Sequence, residues 1–199
     1  MFSLKLKRLK KGFTLVEIMI VLVTLGLLIA VALPKVSQVL STGKINATRT
    51  SLSSLAKAIK NFNADTSVWP GNIVDLMNPL AVTRTCYHSK SLAVSNYSVT
   101  QVKNWKGPYM DGTTSEISVD AWGARVALGV VGAGPDYVFT GKDSEGDAVT
   151  FNAKDCDTFK ELGEVPGLYL HSPGDDTVTG NTGAIAKDDI VIFVTGKLL

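Results

Sequence analysis

The chain has 199 residues, is 45% hydrophobic and carries a formal net charge of +2. That small value hides a gradient: residues 1–12 hold five basic and no acidic side chains, whereas residues 111–199 hold 15 acidic and 6 basic ones. An acidic distal half disfavours nucleic acid as a partner, because phosphate contacts need positive charge, but it is compatible with cation binding.

A long apolar run follows the basic leader. Residues 13–33 contain a single charge, Glu17, and a helix of that length reaches about 30 Å, the thickness of a bilayer's hydrocarbon core. The basic residues before the run predict a cytoplasmic N-terminus with everything after the run exported.

Two ordinary membrane segments fit part of this pattern. The sequence Ala30-Val31-Ala32 matches the small-residue site at which signal peptides are cleaved, and an uncleaved signal anchor would need no cleavage site. Against cleavage, the run is longer than a usual signal peptide's apolar region, and a carboxylate inside such a region is costly.

The stretch "KGFTLVEIMIVLVTLGLLIAVALPKV" resembles the N-terminus of type IV pilins and of type II secretion pseudopilins. In that family a membrane peptidase cuts between a glycine and a phenylalanine and then methylates the new amine. The resemblance therefore implies a cut between Gly12 and Phe13. It also matches Glu17 to the family's glutamate, the fifth residue of the mature chain, and Pro34 to its helix proline.

The charges in this motif suggest a physical purpose for Glu17. Cleavage would create a positive amine at Phe13, one helical turn away from the carboxylate, so neither charge would be isolated in lipid. In a filament the same carboxylate can instead meet the amine of a neighbouring subunit. The hypothesis is that this pair sets the axial register of assembly.

Beyond Pro34 the helical pattern becomes amphipathic. Apolar residues recur at helical spacing, at Ile45, Leu52, Leu55, Ile59 and Phe62, which predicts one buried stripe. Pro34 and Gly43 are the expected bend points. We therefore predict a leader (1–12), a membrane half of the helix (13–33), an amphipathic half (34–64) and a globular head (65–199).

The head is predicted to be mainly β-structure. Residues 73–80 read as a short second helix, and residues 81–103 as a loop-rich insertion. Val/Ile/Phe-rich runs between turn signals predict strands at 124–131, 137–139, 148–151, 167–170 and 190–194. The fold class is α+β, with the long helix, bent near Pro34, packed on one face of an antiparallel sheet.

Two motifs in the head add to the resemblance. "NWKGPY" (104–109) and "DAWG" (120–123) are similar to blocks of the major pseudopilins, although Ala121 stands where those proteins have proline. Locally, both motifs read as turns anchored by core aromatics.

Acidic loops are candidate calcium sites, because calcium prefers several oxygen ligands on flexible backbone. The loop from 172 to 190 resembles the calcium loop of major pseudopilins and supplies Asp175, Asp176, Asp188 and Asp189. A similar, weaker pattern supplies Asp136, Asp143, Glu145 and Asp147. Solvated loops without an ion are the alternative.

The remaining reactive side chains give no catalytic pattern. Cys86 and Cys156 lack the spacing of a zinc or redox motif, so in an exported domain a disulfide between them is favoured over two buried thiols. His88 and His171 lie in different regions, without a hydrolase or metalloprotease motif, and read as surface loop residues. The sequence predicts no enzyme.

The expected protein is thus a filament subunit of a type II secretion pseudopilus or a type IV pilus. The resemblance implies a bacterial inner-membrane precursor with a periplasmic head, assembling with itself and with other pilins in the periplasm or at the cell surface. It also implies a prepilin peptidase and an inner-membrane assembly platform as partners. The alternative is a monomeric, membrane-anchored extracytoplasmic binding domain.

Overall fold

The computed structural model describes residues 12–134, 137–176 and 189–196. The chain divides into two compact units, the first ending at Thr42 and the second beginning at Gly43. One helix, α1 (Leu15–Thr66), supplies the described first unit almost entirely and continues into the second. It stays helical through Pro34 and Gly43; the bend expected near Pro34 remains a prediction.

A small antiparallel sheet follows the helix. It consists of β1 (Val68–Pro70), β2 (Thr85–His88) and β3 (Val94–Asn96), in that order. A short helix, α2 (Val99–Asn104), comes next. The predicted loop-rich insertion, residues 81–103, thus contains two short strands and most of a short helix. Its strands are only three or four residues long, and β3 is exposed throughout, so no alternating pattern could reveal them.

The strands predicted in the distal half form a second sheet. They are β4 (Ala127–Val131), β5 (Val138–Asp143), β6 (Ala148–Asn152), β7 (Gly167–Ser172) and β8 (Ile190–Gly196). All neighbouring pairs are antiparallel, in the order β6-β5-β4-β7-β8. Each predicted run corresponds to one of these strands.

Short helical segments fill the connections. Two are α-helical, α3 (Thr114–Ile117) and α4 (Asp157–Glu161). The others are 3₁₀ turns at Ile73–Leu76, Ala153–Asp155 and Gly174–Asp176. The second helix expected over 73–80 is thus a single 3₁₀ turn that ends at Leu76.

The five-stranded sheet is covered on both faces. On one face the predicted stripe of α1, including Leu52, Leu55 and Phe62, packs into a cluster with Leu128 and Leu168. The opposite face carries a second cluster beneath the segment that connects β6 to β7, containing Phe139, Phe151, Cys156, Phe159 and Tyr169. The α+β prediction is confirmed, and the second layer is a feature that the sequence did not predict.

Candidate functional site

The N-terminal residues of α1 form a local hydrogen-bonded cap. The backbone N–H of Glu17 donates to the Thr14 hydroxyl at 3.2 Å, and the Thr14 N–H donates to the Glu17 carboxylate at 3.4 Å. This reciprocal pattern is a capping box, which satisfies donors that a helix start leaves open. The carboxylate that stood out in the sequence therefore has a structural partner within its own helix. Gly12 and Phe13, the predicted processing pair, precede this cap and are exposed; residues 1–11 lie outside the described residues.

The first half of α1 presents apolar side chains on every side. An 18-residue window of the helix has a mean hydropathy of 2.8, and none of it is buried. Exposed apolar side chains continue beyond the predicted membrane segment, to Val36, Val39 and Leu40. By length and composition this helix can cross a membrane, a test that signal sequences near an N-terminus also pass. An apolar surface this extensive needs a lipid or protein environment.

The NWKGPY motif fastens the end of α1 to the head. Lys106 Nζ lies 2.8 Å from one oxygen of the Asp65 carboxylate, and the Tyr109 hydroxyl donates to the other oxygen at 3.0 Å. The tyrosine ring packs edge-on against Phe62, with ring centroids 5.5 Å apart. The hydrogen bond from Lys106, followed by that from Tyr109, holds the pKa of Asp65 below its ordinary value. We call this group, Phe62, Asp65, Lys106 and Tyr109, the clasp.

The same motif also holds the 3₁₀ turn that follows β1. Trp105 Nε1 donates to the carbonyl of Asp75 at 3.0 Å, and the Tyr109 N–H donates to the carbonyl of Leu76 at 2.8 Å. A Cβ at Gly107 would lie 2.5 Å from the Trp105 ring, so only glycine permits this close approach. The motif therefore has a structural role, which is to hold this 3₁₀ turn in place.

The DAWG motif is a tight turn fastened to α1. Asp120 accepts hydrogen bonds from the N–H groups of Trp122 and Ala124, both at 2.9 Å. The N–H of Ala121 donates to the Thr48 hydroxyl of α1 at 3.1 Å. Ala121 replaces the proline of the related motif, and proline could not make this bond because it has no N–H. This departure from the family pattern thus adds a contact.

In the weaker calcium candidate, the described acidic side chains surround a basic side chain of the protein itself, Arg125. Arg125 lies 3.1 Å from Asp143, 2.7 Å from Glu145 and 3.4 Å from Asp147. Asp143 also accepts the backbone N–H groups of residues 145, 146 and 147 through one oxygen. In this arrangement the three carboxylates do not fit an additional metal ion. Asp136, the fourth predicted ligand, lies outside the described residues.

Arg125 is a functional residue of this turn that our sequence analysis missed. It is the only basic residue between Lys106 and Lys142, a segment that holds several acids. An isolated cation among carboxylates is a usable signal for an internal ion-pair network.

The two described acids of the stronger calcium candidate lie in different environments. Asp175 is exposed, whereas Asp189 is buried, with His171 Nε2 3.0 Å from its carboxylate. Asp189 therefore faces the interior rather than a solvated loop. The side chain of Asp176 and all of Asp188 lie outside the described residues. Among the described residues, no group of three acidic, histidine or cysteine side chains is arranged to hold a metal.

His171 is not a surface residue, which corrects the sequence-based interpretation. It lies in β7, is fully buried, and packs against the ring of Phe151 with centroids 4.3 Å apart. The sequence around it, Tyr169-Leu170-His171-Ser172, belongs to a strand buried on both faces, where alternation does not separate inside from outside. His88 is exposed, at the end of β2.

The predicted disulfide between Cys86 and Cys156 is not formed: both are free, buried thiols. Cys86 belongs to the cluster on the α1 side, and Cys156 to the cluster on the other face of the large sheet. Since a disulfide requires closely spaced backbones, this separation accounts for the free thiols. Burial raises the pKa of both thiols.

A buried carboxylate network also escaped the sequence analysis. Asp75 lies 2.5 Å from Arg84 Nη2, and its other oxygen accepts the Tyr97 hydroxyl at 2.8 Å and the N–H groups of Gly71 and Asn72 at 3.1 Å. Burial raises the pKa of Asp75, opposed by the charge of Arg84. A lone aspartate in the run Ile73-Val74-Asp75-Leu76-Met77 is the signal that could have indicated it.

Comparison with known proteins agrees with this geometry. Residues 7–33 match the family model described as the prokaryotic N-terminal methylation motif. The type II secretion system core protein G of Pseudomonas aeruginosa is 28% identical over 117 residues, covering 59% of this chain and 71% of that protein. The type IV major pilin protein PilE1 of Neisseria gonorrhoeae is 31% identical over 159 residues, covering 69% of each. No solved structure matches the chain.

A further relative, the fimbrial protein EcpC of Eikenella corrodens, is 33% identical over 67 residues, covering 34% of this chain and 44% of that protein. An apolar N-terminal helix that begins within a methylation motif and continues into an α+β head defines the class of pilin-like subunits. The chain belongs to the type IV pilin and pseudopilin family. It is accordingly related to structural subunits, and its N-terminal helix suggests membrane anchoring.

Proposed function

We propose that the chain is a non-enzymatic filament subunit, stored in the bacterial inner membrane with its N-terminus in the cytoplasm and its head in the periplasm. A prepilin peptidase cuts it between Gly12 and Phe13 and methylates the new amine. The mature subunit then polymerises with itself and with related pilins, on an inner-membrane platform, through its N-terminal helix. The filament is a secretion pseudopilus in the periplasm or a pilus at the cell surface.

The observation that carries this proposal is the exposed apolar surface of α1. Nearly every large apolar side chain from Phe13 to Leu40 is exposed, on a helix whose second half is fixed in the head by Leu52, Leu55 and Phe62. A bilayer covers such a surface before assembly, and the helices of neighbouring subunits cover it in a filament. Contacts of this head-to-tail kind do not close and therefore generate fibres.

The first test is the mature N-terminus. Mass spectrometry of the full chain, expressed with a prepilin peptidase, should find a methylated Phe13 as the first residue. A chain that retains residues 1–12 would support the monomeric anchored domain, and a chain that begins at Leu33 would support a cleaved signal peptide. Either result contradicts the proposal.

The second test concerns Glu17. Glu17→Ala should leave membrane insertion and cleavage unchanged and abolish filaments, because the carboxylate pairs with the amine of a neighbouring subunit. Thr24→Ala is the matched control: it removes another polar group of the same segment, one that donates only to the Val21 carbonyl of its own helix. Sheared-filament yield and membrane fractionation measure the outcome. Normal filaments with Glu17→Ala would contradict the register hypothesis.

We also propose that calcium stabilises the head through the loop from 172 to 190. The support is the composition of this loop, with Asp175 as the exposed described carboxylate at its start and oxygen-bearing side chains at seven of the eleven positions from 172 to 182. Calcium that binds only the folded head raises its melting temperature. A chelator should therefore lower the melting temperature of the wild type and not that of Asp175→Asn. An unchanged wild-type melting temperature would leave only the solvated loop.

A further inference from the structure

A cavity beside the buried Asp75 network lies between the two sheets. It has a volume of about 240 Å³ and is lined from one side by Arg84 and Thr85 of the small sheet region and from the other by Lys142 of β5. The Asn72 side chain joins the two walls by donating to the carbonyl of Asp143 at 2.7 Å. The walls are therefore connected, and the cavity has a defined shape.

The first cation that lines this cavity, Arg84, is fixed by an ion pair with a buried carboxylate. Its guanidinium pairs with the buried Asp75, whose second oxygen is already occupied by three donors. The Arg84 side chain is nevertheless 31% exposed. Since a guanidinium carries five N–H donors, the arginine retains donors for a second acceptor on the cavity side.

The second cation, Lys142, has a charge that its surroundings do not cancel. It is exposed, and within the described part of the chain it forms no ion pair. The nearest carboxylates in sequence, those of Asp143, Glu145 and Asp147, all lie against Arg125 instead. With Asp75 cancelling Arg84, the lining keeps one net positive charge.

We propose that this cavity binds a small tetrahedral oxyanion of the phosphate class. Arg84 and Lys142 both line the cavity, together with Thr83 and Thr85, so two cationic and two hydroxyl side chains are available as donors. Donors on several sides suit a tetrahedral anion better than a planar carboxylate, and bonds from charged donors to phosphate are the strong ones. The volume is large enough for a phosphate group. This site is independent of filament formation.

The test is calorimetric titration of the full-length chain in detergent with inorganic phosphate, at constant ionic strength. We expect saturable binding that Lys142→Gln weakens about tenfold, the loss of one charge-assisted hydrogen bond. Thr83→Val should weaken it less. Lys90→Gln, which removes an exposed lysine outside the cavity, should leave the affinity unchanged.

Titrations with other anions show whether the cavity takes free phosphate or a phosphate group on another molecule, and whether it prefers phosphate to a carboxylate. If glycerol phosphate binds as well as inorganic phosphate, the cavity takes a phosphate group carried by another molecule; if it does not, the ligand is the free ion. Acetate should bind at least about tenfold more weakly. The proposal is overturned by the absence of saturable phosphate binding, by equal affinity of Lys142→Gln and wild type, or by acetate binding as tightly as phosphate.

Discussion

Gly129 and Gly141 lie directly opposite each other in β4 and β5. A Cβ at Gly141 would lie 2.5 Å from the Leu128 carbonyl oxygen, 2.6 Å from the Gly129 Cα and 2.8 Å from the Phe139 ring. Two of these neighbours are backbone atoms, which cannot move aside as a flexible side chain can. At the scale of single residues, this glycine pair lets the Phe139 ring lie against the strands.

We therefore predict that Gly141→Ala lowers the free energy of unfolding by about 2 kcal/mol, within the range of overpacked cores. Urea unfolding of the full chain in detergent, followed by tryptophan fluorescence, measures the change. Gly132→Ala is the control, because a Cβ there meets no atom within 4 Å. Equal unfolding midpoints for the two variants would refute the packing argument.

Residue-level function was only partly predictable from the sequence. Glu17 could be identified because a charge in an apolar run contradicts its surroundings. Its capping partner could also have been read from Thr14, three positions earlier. In contrast, the charged partners of Asp75, Arg125 and His171 lie in other segments of the chain, so their pairing depends on tertiary structure that local patterns do not encode.

At the scale of elements, the clasp holds the end of α1 through Asp65. The pKa of this carboxyl is lowered in the folded chain. Its stabilising contribution is therefore complete above the ordinary value of 3.8 and is lost as the pH falls through the folded value. Protonation removes the charge that Lys106 Nζ contacts at 2.8 Å.

Asp65→Asn should thus lower the urea midpoint at pH 6, and its difference in midpoint from the wild type should shrink as the pH falls below 3.8 towards the lowered pKa of the folded chain. Unfolding curves at pH 6 and at a series of pH values below 3.8 measure this shrinking difference. The comparison variant is Asp111→Asn, an exposed carboxylate with no ion pair among the described residues, whose difference from wild type should stay constant. If the difference in urea midpoint between Asp65→Asn and the wild type does not depend on pH, the ion pair of the clasp is excluded as its cause.

The two sheets differ in how readily the sequence revealed them. In β6 the buried residues Val149 and Phe151 alternate with exposed ones, and β7 contains an apolar run at 168–170, so these strands had visible patterns. The strands β1 to β3 have three or four residues each, and β1 contains Pro70. Such strands are specified by pairing and by the core under them, for example by Cys86 and Tyr87, rather than by periodicity.

At the scale of the whole molecule, the large sheet separates two hydrophobic clusters, each with one thiol. We predict that neither Cys86 nor Cys156 reacts with a thiol reagent in the native chain, since burial raises the pKa of both and blocks access. After unfolding in guanidinium chloride without reductant, both should react. A reduced sample unfolded in the same way supplies the reference, and an unreduced sample with no reactive thiol would show that the disulfide forms.

The capping box at the start of α1 changes what Glu17 can contribute to a filament. Its carboxylate is not an idle charge awaiting a partner, because the Thr14 N–H already donates to it. In the filament proposed above, pairing with a neighbour's amine would exchange one hydrogen-bonded state for another, and only the difference between them would be gained. Such an exchange would favour reversible addition of subunits over tight binding, so that a growing filament could correct its register.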